Sequence, residues 1–292
     1  MYPAEFAYQR PADLDGVFTA LEQHAGEAKL IAGGQSLLPM MKLRLVSPAM
    51  LIDLAGTAEL RGQWRTENGV RIGALTTYRE LQHSSSTLGL LPGLADTLEV
   101  IADQQVRARG TVGGALAHGD PTADLPALML ALDAEVRIGS RRGERVMALS
   151  DFVTGIFSTD LADDDVLTAV DVPLPPPGTG AAYEKFEQPA SHLALCGVAA
   201  ALTVVDGVVH RARVAMTGVS GTPRRLPVVE DALLGAAADP AVLDDVAALA
   251  SQGVEPLSDL HAPAEYRLHL LEVATRRALQ VAASRAGMRW AA

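Results

Sequence analysis

The sequence predicts an α+β fold, and three features of its 292 residues carry that prediction. A short β-α-β pattern lies near the N-terminus, a run of alternating strands lies in the last third, and a proline-rich connector at residues 173–178 separates them. Hydrophobic residues make up 49% and charged residues 20% of the chain, as in ordered globular proteins. We therefore expect a mixed region before the connector and an antiparallel sheet backed by helices after it.

The elements before the connector follow from hydrophobic spacing and from cap and turn residues. Gly26 is expected to end the first helix in a left-handed cap. Asp120 is expected to cap a helix with Pro121 at its first position. The predicted elements are helix 11–26, strand 29–32, helix 36–44, strand 50–54, strand 69–74, a helix from Thr77, a helical stretch 91–106, a helix from Asp120 to Leu132, and strand 134–138.

After the connector, three strands precede three helices. Asp206-Gly207 joins two of the strands and is a strong two-residue hairpin signal. The predicted strands are 181–186, 194–205 and 208–217, and the predicted helices are 228–234, 241–250 and 263–285.

Charge and composition exclude several functions. The formal net charge of -11 disfavours nucleic acid and anionic lipid surfaces as partners. No apolar run is long enough to cross a bilayer, and the N-terminus lacks a secretory pattern, so we expect a cytoplasmic protein. The single cysteine, Cys196, excludes a cysteine-ligated iron-sulfur or zinc site within this chain and lies in an apolar strand as an inert core thiol.

Two diglycine loops are the candidate binding motifs. The first runs through Ala32, Gly33, Gly34, Gln35 and Ser36, where a strand meets a short helix. Glycine backbones there allow close approach of a phosphate, and free amides at a helix start attract it. An ordinary tight turn is the alternative for this loop alone.

The second loop runs through Thr111, Val112, Gly113, Gly114 and Ala115. Together the two loops suit a pyrophosphate. Neither matches the G-x-G-x-x-G fingerprint, so a nicotinamide-type Rossmann domain is disfavoured.

Other candidate residues have structural alternatives. Asp120 is better explained as a helix cap than as an acid-base group, whereas Asp124 fits a charge in the first helical turn and a ligand contact equally well. His118 has no partner at metal-ligand spacing. Lys185 lies on an alternating strand, where most lysines are solvated. We predict no catalytic side chain and no metal site.

Five segments together resemble the FAD-binding medium subunit of molybdenum hydroxylases, particularly the carbon monoxide dehydrogenase type, over nearly the whole chain. These segments are Ala32 to Pro39, Met41 to Arg44, Thr111 to Gly114, Asp120 to Pro126 and Tyr183 to Phe186.

The resemblance implies a vanillyl-alcohol-oxidase-like, PCMH-type FAD-binding domain at 1–176, with subdomains 1–57 and 58–176, and a flavoprotein C-terminal domain at 177–292. It places the FAD pyrophosphate on residues 32–36 and 111–115. It adds Lys29, Leu37, Asp124, Leu161 and Lys185 as flavin or ribityl neighbours.

The resemblance also implies partners. A large subunit would hold the molybdenum cofactor, and a small subunit would hold two 2Fe-2S clusters that feed electrons to FAD, in a heterotrimer or a dimer of heterotrimers. An autonomous FAD-dependent oxidase or reductase and a subunit without cofactor are the alternatives. Gln35 stands where carbon monoxide dehydrogenases often have histidine, Ala115 where asparagine is common, and His192-Leu193 where some relatives place a tyrosine against the flavin.

Overall fold

A computed structural model describes residues 2–288, and its N-terminal part is a small parallel sheet. The elements of this part are β1 (Ala7–Gln9), α1 (Leu14–Gln23), β2 (Ala28–Ile31), α2 (Leu37–Lys42) and β3 (Met50–Asp53). The strand order is β1-β3-β2, and β3 pairs in parallel with both neighbours. The predicted β-α-β unit is confirmed. The three-residue strand β1 was not predicted, and α1 ends at Gln23, so that Gly26, at φ +77°, lies in the following loop.

The middle part is a five-stranded antiparallel sheet with helices packed on it. Its strands are β4 (Gln63–Arg65), β5 (Gly69–Gly73), β6 (Glu135–Ser140), β7 (Gly143–Ala148) and β10 (Val166–Pro173), with the hairpin β8 (Val153–Gly155) and β9 (Ser158–Thr159) beside it. Its helices are α3 (Tyr78–Gln82), α4 (Ser85–Leu90), α5 (Leu94–Val100), α6 (Gln104–Arg109), α7 (Val112–His118), α8 (Asp124–Ala131) and α9 (Leu149–Phe152). The strand order is β4-β5-β10-β6-β7.

The single helical stretch predicted over 91–106 is wrong. The helix is interrupted between α5 and α6, where Ala102 adopts a left-handed φ of +43°. The guanidinium of Arg107 donates to the carbonyl oxygens of Ile101 at 2.7 Å and Ala102 at 3.0 Å, which satisfies backbone groups that a continuous helix would have paired. Apolar spacing alone carries no signal for such a side-chain cap.

The C-terminal part is a four-stranded antiparallel sheet in the order of its strands along the chain. The elements are β11 (Thr179–Glu187), β12 (Ala194–Val205), β13 (Val208–Thr217), β14 (Arg224–Arg225), α10 (Pro227–Leu233), α11 (Pro240–Ala247) and α12 (Ala264–Arg285). The predicted hairpin is confirmed, because Asp206 and Gly207 both have positive φ, at +50° and +79°. The predicted antiparallel sheet backed by helices is confirmed as well.

The two faces of this last sheet bury different neighbours. One face packs under α12, α10 and α11 in a core that includes Cys196. The other face presents small residues such as Ala199, Ala201 and Ala215 to the core of the middle part. All eight residues of α8 are buried there. Short side chains on the sheet therefore allow α8 to lie directly between the middle and C-terminal parts.

We predict that Gly180→Ala destabilises the fold by about 2 kcal/mol, because overpacking against backbone cannot relax through a rotamer change. A β-carbon on Gly180 would lie 2.1 Å from the carbonyl oxygen of Ala282 and 2.4 Å from the amide nitrogen of Ala286. Urea unfolding measures the change. Gly89→Ala is the control, since its added β-carbon would lie within 4 Å of no described atom beyond its own stretch of α4. An unfolding midpoint equal to that of the wild type for Gly180→Ala would contradict the close packing of α12 on β11.

Candidate functional site

The first diglycine loop carries a set of unpaired backbone amides. β2 ends at Ile31 and α2 begins at Leu37, as the sequence predicts. Within residues 2–288, the N–H groups of residues 33–37 donate to no acceptor, and the first amide paired in the helix is that of Leu38, to Gly34. Gly34 has φ +74°, a conformation that glycine adopts without strain. Five adjacent free donors at a helix start form a cradle suited to an anion.

The second diglycine loop differs, because the amides of residues 112–115 are already paired. Val112 donates to the carbonyl of Thr76 at 3.0 Å and Gly113 donates to that of Ala74 at 2.8 Å. The amide of Gly114 donates to the Thr111 hydroxyl oxygen at 3.1 Å, which caps α7. This loop therefore presents the exposed, side-chain-free surface of Gly114 rather than a run of free amides.

The fold brings the two loops into contact. A β-carbon on Gly33 would lie 2.1 Å from the carbonyl oxygen of Arg109, so the backbones touch at that point. A β-carbon on Gly114 would lie 3.8 Å from the side chain of Ala32. The cradle and the second loop thus lie side by side, and the absence of side chains at Gly33, Gly34 and Gly114 leaves room for a pyrophosphate lying across both.

Asp120 does not cap α8, so that prediction is wrong. Its carboxylate accepts from the amide of Thr122 at 2.8 Å and from the Thr122 hydroxyl at 2.6 Å, which closes a local turn instead. The helix begins four residues later, at Asp124, with Ala123 at the cap position. An aspartate two residues before a hydroxyl makes this turn as readily as it makes a cap, and the sequence pattern is the same.

Asp124 is buried and paired with two residues of β11. Its carboxylate accepts from the Lys185 ammonium at 2.9 Å and from the Tyr183 hydroxyl at 2.7 Å. Burial raises the pKa of Asp124, and these two donors act in the opposite direction. Burial beside Asp124 also raises the pKa of Tyr183 well above its ordinary value. No feature of the sequence marks Tyr183 as a partner of Asp124 beyond its alternation with Lys185.

Lys185 is buried rather than solvated, with 3% of its side chain exposed. Its ammonium also donates to the carbonyl oxygens of Val100 at 2.9 Å and His192 at 2.7 Å. All three of its protons are therefore used within the protein. Lys185 ties together the end of α5, the start of α8 and the turn before β12.

The remaining candidates lie at separate places. Lys29 is exposed on β2, Leu161 is half-buried against the core of the middle part, and the Gln35 amide donates to the carbonyl of Gly33 at 3.2 Å. His118 is half-buried against the Phe157 ring, and burial lowers its pKa. Burial raises the pKa of the Cys196 thiol to about 12, in agreement with an inert core residue.

Residues 2–288 contain neither a metal-binding cluster nor a membrane-spanning helix. No cluster of three histidine, cysteine or acidic side chains that could bind a metal ion occurs in that range. No helix in the same range has the length and apolar character needed to span a membrane.

The family follows from comparison with known proteins. Residues 4–175 match the model of the FAD binding domain in molybdopterin dehydrogenase, and residues 181–282 match the CO dehydrogenase flavoprotein C-terminal domain. The chain belongs to the FAD-binding medium subunits of the molybdenum hydroxylases. The carbon monoxide dehydrogenase medium chain of Afipia carboxidovorans is 37% identical over 98% of this chain and 99% of its own length.

Solved structures of molybdenum hydroxylases share the fold. Carbon monoxide dehydrogenase from Hydrogenophaga pseudoflava superposes with a TM-score of 0.95 at 38% identity, covering 98% of this chain and 99% of the matched chain. Quinoline 2-oxidoreductase from Pseudomonas putida 86 gives 0.93 at 34% identity, covering 99% and 100%. The predicted fold class is confirmed.

We predict that Asp124→Ala destabilises this medium subunit by about 3 kcal/mol, because it leaves the Lys185 ammonium buried without its anion. Lys185→Met in the same chain should recover part of that loss, and a double-mutant cycle by urea unfolding measures the coupling. Asp163→Ala is the control, since that exposed carboxylate makes no hydrogen bond or ion pair with another described residue. Additive effects of the two substitutions would show that the pair does not act as a unit.

Proposed function

We propose that this chain holds FAD and transfers electrons from the iron-sulfur clusters of a partner subunit to an external acceptor. The observation that carries the proposal is the cradle of unpaired amides at residues 33–37, closed by the second loop, in a chain of this family. A pyrophosphate needs many donors and little side-chain volume, and this surface offers both. FAD, when bound, supplies the redox chemistry.

Residues 32–36 and 111–115 would hold the pyrophosphate in this proposal. The amides of the first loop donate to it, while Gly114 supplies an open surface. Lys29, Leu37, Asp124, Leu161 and Lys185 remain proposed neighbours of the flavin or ribityl groups. Because the protons of Lys185 are all engaged, its main contribution is to fix Asp124 and the turn at His192.

The substrate is expected to depend on the partner subunits rather than on this chain. The carbon monoxide dehydrogenase and quinoline 2-oxidoreductase relatives are named for chemically unlike substrates, yet they match this chain at 37% and 34% identity over nearly its whole length. We therefore propose assembly with a large molybdenum-cofactor subunit and a small iron-sulfur subunit. The division into domains at 1–176 and 177–292 and a cytoplasmic location are parts of the same proposal.

We predict that Ser36→Asp reduces the FAD content of the purified assembly by at least about tenfold, because a fixed carboxylate beside the cradle repels the pyrophosphate. Ser36 lies at the start of α2, where aspartate is favourable for the helix, so the unfolding midpoint should not fall. Acid release followed by chromatography measures flavin per chain. The matched control is Ser85→Asp, which places the same charge in the first turn of α4.

The outcomes separate the candidate functions. Stoichiometric, releasable FAD, with turnover only in the presence of the partner subunits, agrees with the electron-transfer function. Turnover by the chain alone would favour an autonomous flavoenzyme. Absence of FAD from the complete wild-type assembly would refute the proposal.

A further inference from the structure

The C-terminal end of α2 has an unusual residue at its turn. The amide of Leu45 donates to the carbonyl of Met40 at 2.9 Å, and the amide of Arg44 donates to that of Met41 at 3.1 Å. These two bonds define a Schellman motif, in which the residue at the position of Arg44 adopts the left-handed conformation and is usually glycine. Arg44 has φ +59°. An arginine there costs about 1 kcal/mol that a glycine would not.

Four consecutive side chains at this end face solvent. We name Lys42, Leu43, Arg44 and Leu45 the α2 corner. Leu43 is 61% and Leu45 69% exposed. A Schellman motif commonly packs the apolar residue after its left-handed position against the helix, whereas this leucine stays in water. Exposed apolar side chains held rigidly by backbone hydrogen bonds are typical of an interaction surface.

The charges of the α2 corner are also unpaired. Within residues 2–288, the side chains of Lys42 and Arg44 make no ion pair and no hydrogen bond, although the chain has a net charge of -11. Other arginines of the chain, such as Arg137 and Arg145, form ion pairs with neighbouring carboxylates. Two free cations beside two exposed leucines complement a partner surface that is apolar at its centre and negatively charged around it.

The position of the α2 corner indicates which partner this is. α2 has six residues, so its two ends are about 9 Å apart, with the cradle at one end and the corner at the other. A subunit that exchanges electrons with FAD must dock close to the FAD site. Thiolate-ligated iron-sulfur clusters carry net negative charge, which the cations of the corner would attract.

We propose that the α2 corner is part of the docking surface for the iron-sulfur partner subunit. Leu43 and Leu45 supply the apolar contact, and Lys42 and Arg44 pair with carboxylates of the partner. The proposal rests on the proposed function, from which it takes the partner.

Arg44→Gly tests the surface without damaging the chain, because glycine removes the cation and relieves the left-handed strain. All three subunits are co-expressed with an affinity tag on the iron-sulfur subunit, and the amount of this chain retained is measured over a range of salt concentrations. We expect retention to fall about tenfold for Arg44→Gly and for Leu45→Ser, and to be restored by Arg44→Lys. FAD per chain and the unfolding midpoint should stay at or above wild-type values.

Arg276→Gln and Leu260→Ser are the matched controls, since Arg276 is an exposed, unpaired cation on α12 and Leu260 is a 90% exposed leucine. Unchanged retention of Arg44→Gly and Leu45→Ser would overturn the proposal. Loss of the molybdenum subunit alone, or a change only in self-association of this chain, would reject the iron-sulfur subunit as the occupant. Absence of FAD from the wild-type assembly would refute the proposed function. It would not refute the docking surface, which is tested by the amount of this chain retained.

Discussion

Burial of α8 between the C-terminal sheet and the helices of the middle part is the constraint on which the rest of the molecule depends. The helix has eight residues and none reaches solvent. Carboxylates of the middle part stand at both of its ends and accept from side chains of the C-terminal sheet. Asp124 at its start binds Tyr183 and Lys185, and Asp133 just after its end binds Arg211, Arg213 and Arg225. The helix is thus fixed along its axis by charges and across it by apolar packing.

This arrangement also determines the geometry of the proposed cofactor site. The second loop is the start of α7, which is joined to α8 by the turn that Asp120 closes. The hydroxyl oxygen of Thr217 lies 2.8 Å from the carbonyl oxygens of both Pro121 and Ala123 and donates its one proton to either of them, so the C-terminal sheet holds that turn directly. The second loop in turn contacts Gly33 of the cradle through Arg109. Rigid packing between the middle and C-terminal parts is therefore transmitted to the surface proposed to bind the pyrophosphate.

Much of this fold could be predicted from the sequence, because regular elements leave periodic patterns. The β2-α2-β3 unit, the Asp206-Gly207 hairpin and the long helix α12 all follow from spacing and turn residues. Three features could not be predicted, since each depends on a specific contact that apolar spacing does not encode. Arg107 donates to the carbonyl of Ala102 at the break between α5 and α6. Lys185 is buried in an ion pair with Asp124, which lies 61 positions away. Two amides of the second loop donate to the carbonyl oxygens of residues 74 and 76. Diglycine loops that look alike in sequence therefore differ in structure: within residues 2–288, the first has free amides, whereas the second packs closely against residues 74 and 76.

The buried pair of Asp124 and Lys185 is better understood as a device for specificity than as a source of stability. Desolvation of two charges offsets most of their attraction, so a pair of apolar residues could pack there at similar free energy. An apolar pair would, however, tolerate a shift of β11 by one residue. With the ion pair present, such a shift would turn Lys185 to the opposite face of the sheet and leave Asp124 buried without a cation. Since Lys185 also holds the carbonyls of Val100 and His192, only one register satisfies all of these groups. The C-terminal sheet can therefore pack on the middle part in only one alignment.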